Sequence, residues 1–86
     1  MKNLEKVLKA LASQRRLQIL AYLKQVEHAS VADIAREIRL SFKATSKHLV
    51  ILTSADILDR EQKGLQAIYI LGQSLHKTVK QVLSLL

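Results

Sequence analysis

The sequence predicts a mainly α-helical domain with one small β-hairpin, and three observations support that expectation. Apolar residues recur at intervals of three and four along most of the chain, and each run is preceded by a residue suited to cap a helix. From Ile57 the pattern changes to two extended runs around Gly64, the second rich in β-formers. The 86 residues hold no proline, only two glycines and no repetitive or linker-like tract, so a single domain over 1–86 is expected. About five helices and a two-stranded hairpin in this order make a winged helix-turn-helix.

Leu4, Val7, Leu8 and Leu11 mark one face of the first helix, with Asn3 as its candidate cap. Ser13 is the next N-cap, and Gln14 to Gln25 reads as a second helix. Its Leu17, Ile19, Leu20, Ala21 and Leu23 cover most of the circumference, which predicts burial on several sides. Ser30-Val31-Ala32-Asp33 is a Ser-x-x-Asp form of the capping box and opens a third helix with Val31, Ile34, Ala35 and Ile38 inward. Arg39 and Leu40 then lead to the N-cap Ser41 and a fourth helix from about Phe42 to about Ser54. Its inward stripe is Thr45, His48, Leu49 and Leu52. Ile57 to Gln62 and Gln66 to Leu71 are the strands. Lys63-Gly64 lies between them, and Gly64 supplies the positive φ of a hairpin turn. Gly72 ends the second strand. Ser74 is expected to cap a last helix bearing Leu75, Val79, Val82, Leu83 and Leu86.

Composition narrows the function. A net charge of +7 favours an acidic partner, nucleic acid before anionic membrane, although the same charge also serves solubility. Cysteine is absent, which excludes disulfides, thiol nucleophiles and thiolate metal sites and fits a cytoplasmic location. Aromatic residues are 3%, too few for base-stacking platforms to be the main activity. No apolar run is long enough to span a bilayer, and the N-terminus lacks the apolar core of a signal peptide, so no membrane association is expected. There is no nucleophile with a base, no paired carboxylates and no phosphate-binding glycine loop, so catalysis is not expected.

Several segments, in order and spacing, resemble a known family. They are Leu8-Lys9-Ala10-Leu11-Ala12-Ser13 with Arg16-Leu17-Gln18-Ile19-Leu20, then Val31 to Leu52, then Ala55-Asp56-Ile57-Leu58 and the hairpin through Tyr69. Together they cover most of the chain and are similar to the ArsR-type (arsenical-resistance repressor) winged helix-turn-helix regulators. The resemblance implies a homodimer that binds palindromic operator DNA and represses until an inducer binds. It places the fourth helix in the major groove and the hairpin along the backbone, with the first and last helices at the dimer interface.

On that reading Phe42, Lys43, Ser46, Lys47 and Val50 form the outward stripe of the fourth helix. Lys43 and Lys47 reach guanine edges or phosphates, or else form a solvated face. Ser46 is small enough for close approach. Phe42 stands where the family usually has a polar residue; it either touches a thymine methyl or makes an apolar contact at the helix start. The hairpin departs from family wings, which carry several arginines: its cations are Arg60 and Lys63, opposed by Asp59 and Glu61. The expected dimer interface comprises Leu4, Val7, Leu8, Leu11, Leu75, Val79, Val82, Leu83 and Leu86, because two wide aliphatic faces are more than so small a domain can cover. Arg16 is read as structural and Arg15 is left open, while His48 is read as buried or phosphate-facing rather than catalytic.

No metal and no cofactor are expected. Family metal sensors place Cys-x-Cys at the start of the third helix, where this chain has Ser30 and Ala32. A second family site begins with Asp-x-His in the last helix; here Ser74-Leu75-His76 stands there, and the sequence ends at Leu86 before a further pair. His28, His48 and His76 have no ligand-type spacing. The alternative function is a winged-helix module that binds protein, favoured by the lightly charged hairpin and by apolar Phe42 and Val50. A basic winged helix does not by itself distinguish DNA from RNA.

Overall fold

The computed structural model describes residues 1–86. It contains α1 (Lys2–Leu11), α2 (Gln14–Val26), β1 (His28–Ser30), α3 (Val31–Ile38), α4 (Phe42–Ser54), β2 (Leu58–Lys63), β3 (Gln66–Leu71) and α5 (Lys77–Leu83). The three strands form one antiparallel sheet in the order β1-β3-β2.

Three N-caps fall where the sequence puts them. Ser13 Oγ accepts from the Arg16 amide at 3.3 Å, and Ser41 Oγ from the Ala44 amide at 3.1 Å. Ser30 and Asp33 close a reciprocal capping box, satisfying two donors that the start of α3 would otherwise leave unpaired. The turn between α3 and α4 is short because Arg39 adopts the left-handed conformation at φ 55°. The Leu40 amide then bonds back to the Ala35 carbonyl at 3.0 Å, and the Leu40 side chain packs on the core. That is a Schellman ending with its hydrophobic contact, here without a glycine.

α2 is the central element: Ile19, Leu20 and Leu23 have no solvent exposure, and α1, α3, α4, α5 and the sheet all contact it. Val7, Ala10 and Leu11 of α1, Val31, Ile34 and Ile38 of α3, and Leu49 and Leu52 of α4 complete most of an aliphatic core. The Lys24 ammonium donates to the Leu83 carbonyl at 2.8 Å and fastens the C-terminus of α5 to α2.

The structure corrects the sequence reading at four places. A third strand, β1, joins the hairpin, with His28, Ala29 and Ser30 facing Ile70, Tyr69 and Ile68. The first hairpin strand ends at Lys63 rather than Gln62, so the two-residue loop is Gly64-Leu65, with Gly64 at φ 64°. Helix α1 starts at Lys2 with Met1 as its N-cap, and Asn3 lies inside it. Helix α5 is capped by His76, whose Nδ1 accepts from the Thr78 amide at 3.1 Å, so Ser74 and Leu75 precede the helix. An imidazole nitrogen two residues before a free amide does here what a serine hydroxyl was expected to do.

Candidate functional site

Helix α4 has two distinct sides. Thr45, Leu49 and Leu52 are buried, while Phe42, Lys43, Lys47 and Val50 are exposed and Ser46 is half-buried. The helical spacing splits the exposed side further. Phe42 and Ser46, four residues apart, border a groove between α4, the start of α3 and the hairpin. Ala32, Arg60, Leu65 and Ala67 are also on its walls. Lys43 and Lys47 form the neighbouring stripe.

Strand parity decides which hairpin residue joins this groove. Arg60 lies opposite Tyr69 and Gln62 opposite Ala67, so these four share the face turned towards α3 and α4. Lys63 has the other parity, with Asp59 and Glu61. The structure therefore brings Phe42, Ser46 and Arg60 together and sets Lys63 on the opposite face of the hairpin. Ala32, Gln62 and Leu65 are groove residues that the sequence reading did not single out; for Gln62 the period-2 alternation from buried Leu58 was the available signal.

The cations of this side are free. The one ion pair of the domain is Arg36 with Asp33, 2.7 Å apart on α3. Lys43, Lys47, Arg60 and Lys63 have no carboxylate within ion-pair distance, and the Asp59 carboxylate instead accepts from the Gln73 amide at 3.3 Å.

Arg15 and Arg16 have different tasks from these lysines. Arg16 Nε donates to the Ala10 carbonyl at 2.6 Å and Nη2 to the Lys9 carbonyl at 3.1 Å, closing the C-terminal end of α1. Its Nη1 lies 3.1 Å from Nδ1 of His48 on α4. Arg15 donates to the Ile38 carbonyl at the end of α3. Burial, then the charges of Arg16 and Arg15, hold the His48 pKa below its ordinary value. The imidazole is thus neutral at pH 7, with Nδ1 accepting from Arg16 and the proton on Nε2. A single guanidinium on α2 thus links α1 and α4.

The terminal helices share less apolar surface than expected. Val7, Leu11, Val79 and Leu83 are buried in the domain's own core and are not available to a partner. α1 and α5 pack on each other, and the buried parts of the stripes that looked unpartnered belong to the common core. Of the nine expected interface residues, Leu8 and Leu86 remain exposed and Leu4, Leu75 and Val82 half-buried. His28, His48 and His76 stand on separate elements, and no three His, Asp or Glu side chains converge as a metal site would require. No helix is long and apolar enough to cross a membrane.

Comparison with known proteins agrees with this geometry. The profile of the family described as bacterial regulatory protein, arsR family, matches residues 13–60, the segment from the cap of α2 to Arg60. The arsenical resistance operon repressor of Bacillus subtilis is 34% identical over 69 residues, which are 80% of this chain and 66% of the repressor. HlyU from Vibrio cholerae superposes with a TM-score of 0.82 at 30% identity, covering 98% of this chain and 87% of HlyU. A homodimeric winged helix-turn-helix DNA-binding domain from Mycobacterium bovis, a possible ArsR-family transcriptional regulator, superposes with a TM-score of 0.84 at 28% identity, over 98% of this chain and 74% of that one.

Proposed function

The chain belongs to the arsR family of bacterial regulatory proteins, a family of regulators and not of enzymes, and from that premise we propose that it is a homodimeric, sequence-specific DNA-binding repressor. The carrying observation is the unpaired cationic side of α4. Lys43 and Lys47 project from a helix whose opposite side is locked in the core, and Arg60 flanks the groove beside it. A capped helix anchored in this way presents its first two turns to a major groove, where lysines meet phosphates or guanine edges and Ser46 permits close approach. Phe42, Lys43, Ser46 and Lys47 are the reading residues, and Arg60 is the principal cation of the wing on their side. Lys63, on the other face of the hairpin, meets the phosphate backbone away from the groove.

The dimer forms across α1 and α5, using the exposed Leu8 and Leu86 and the uncovered parts of the half-buried Leu4, Leu75 and Val82. Support comes from the homodimeric state of the Mycobacterium bovis relative and from the two terminal helices lying side by side. Two-fold symmetry then sets the recognition helices about 34 Å apart and makes the operator a palindrome. The protein works without a family-type metal site: Ser30 caps α3 through its hydroxyl, and Ala32 has no ligand atom. Its place of action is the cytoplasm, where the DNA is.

Selection of bound duplexes from a random pool tests this reading. Enrichment of a palindrome with half-sites one helical turn apart is the expected result. A pool that stays random at low salt contradicts it.

A further inference from the structure

We propose that Phe42 reads the 5-methyl group of a thymine in each operator half-site, which makes Phe42 a specificity-determining residue and thymine its ligand. This deepens the DNA-binding reading and rests on it.

Phe42 is 61% exposed at the first position of α4, although burial is the ordinary fate of a phenylalanine. A structural role at the helix entry is already filled. Ser41 caps the amides, and Leu40 supplies the apolar contact to the core. The ring instead borders the groove, which it shares with Ala32 of α3, Ser46 one turn along α4 and Arg60 of the hairpin. It occupies the reading end of the helix.

A phenyl ring has no donor or acceptor, so it cannot read the hydrogen-bonding edge of any base. The major groove offers one apolar group, the thymine methyl. The groove walls suit such a contact: Ala32 and Ala67 are small and apolar, while free cations at Lys43, Lys47 and Arg60 select a polyanion over an apolar peptide. The same contact separates the nucleic acids. Uracil lacks the methyl, and the major groove of an RNA duplex is too deep and narrow for side chains to read.

The test takes the duplex enriched by selection and remakes it with deoxyuridine at each symmetry-related pair of thymidines in turn. Affinity of the full chain is read by fluorescence anisotropy. Burial of one methyl corresponds to about fourfold in affinity, so replacing the symmetric pair is expected to weaken binding about 15-fold. The loss is expected at one symmetric pair of positions and to vanish in Phe42→Ala, which binds the thymidine and deoxyuridine duplexes alike. Phe42 is exposed, so the variant retains the fold, and circular dichroism checks that it does. Equal affinity of the unaltered chain for all the duplexes overturns the proposal and leaves DNA binding intact. An undiminished thymidine preference in Phe42→Ala also overturns it, assigning the methyl to another residue. Absence of binding to any duplex overturns the DNA-binding reading along with it.

Discussion

Replacing Arg16 by alanine removes three hydrogen bonds from one side chain, and the effect on stability can be worked from the structure. The bonds to the Ala10 carbonyl and to His48 are partly buried, and the third, to the Lys9 carbonyl, is exposed. A bond from a charged donor contributes about 1.5–3 kcal/mol net where water is excluded and less where water replaces it. One strong bond, one moderate bond and one nearly replaced by water suggest a loss of about 3 kcal/mol. A domain of this size shifts by about 4–8 °C per kcal/mol, so the melting temperature should fall by about 12–24 °C. Arg16→Lys keeps the charge but cannot direct three donors at fixed angles, and about two thirds of the loss should persist.

The same substitution changes the titration of His48. The imidazole pKa lies below its ordinary 6.5, through burial first and then the charges of Arg16 and Arg15. The unfolded chain therefore takes up a proton before the folded one does. This contribution to stability is fully present above pH 6.5 and is lost as pH falls through the lowered folded value. Without Arg16 the His48 pKa should move up towards 6.5, and the acid sensitivity due to it should shrink. Thermal denaturation gives the first quantity, and imidazole NMR resolves His48 from His28 and His76 for the second. A melting temperature within about 3 °C of the original, or a His48 pKa that stays or falls, refutes the reasoning.

Four further substitutions probe other parts of the fold and its surface. Thr45 Oγ1 is buried without a hydrogen-bond partner, so Thr45→Val should raise stability by about 1 kcal/mol, read as a higher melting temperature; a marked drop would show that the hydroxyl is bonded. A Cβ on Gly72 would lie 2.8 Å from the Asp56 carbonyl, and the Gly72 amide is already committed to Ile57, so Gly72→Ala should cost about 2–3 kcal/mol in urea denaturation. Gly64→Ala meets open space and should lose about 1–2 kcal/mol, from its positive φ alone. Leu8 is 48% exposed on α1, so Leu8→Glu should leave the protomer folded by circular dichroism yet monomeric by light scattering; a dimer of undiminished stability would move the interface off α1.

Helix caps were the most legible feature of the sequence. Ser13, Ser30 with Asp33, and Ser41 announce helices through local chemistry, and local chemistry decides them in the structure. Strand β1 was not legible: His28, Ala29 and Ser30 are too few to show a period, and they are a strand only because β3 offers a free edge. The start of α5 was misplaced because Ser74 and His76 are both able to cap, and the structure uses the later one. Periodicity found the apolar faces of the terminal helices but not what covers them. Val7, Leu11, Val79 and Leu83 looked like surface for a partner and proved to be core, since each helix meets the domain with the same stripe. The outward side of α4 was readable from spacing alone. The groove beside Phe42 was not, because it exists only once the hairpin has folded back against α3 and α4.

Salt-dependent binding of duplex DNA tests the central claim most directly. A plot of log affinity against log salt gives a slope of about −0.9 per neutralised phosphate. If Lys43 and Lys47 each meet a phosphate in both protomers, Lys43→Ala with Lys47→Ala flattens that slope by about 3.6 and weakens binding most at low salt. Circular dichroism of the double variant should be unchanged, since both lysines are exposed and unpaired. Unaltered affinity and slope in the double variant would contradict the claim that α4 is the DNA-reading helix.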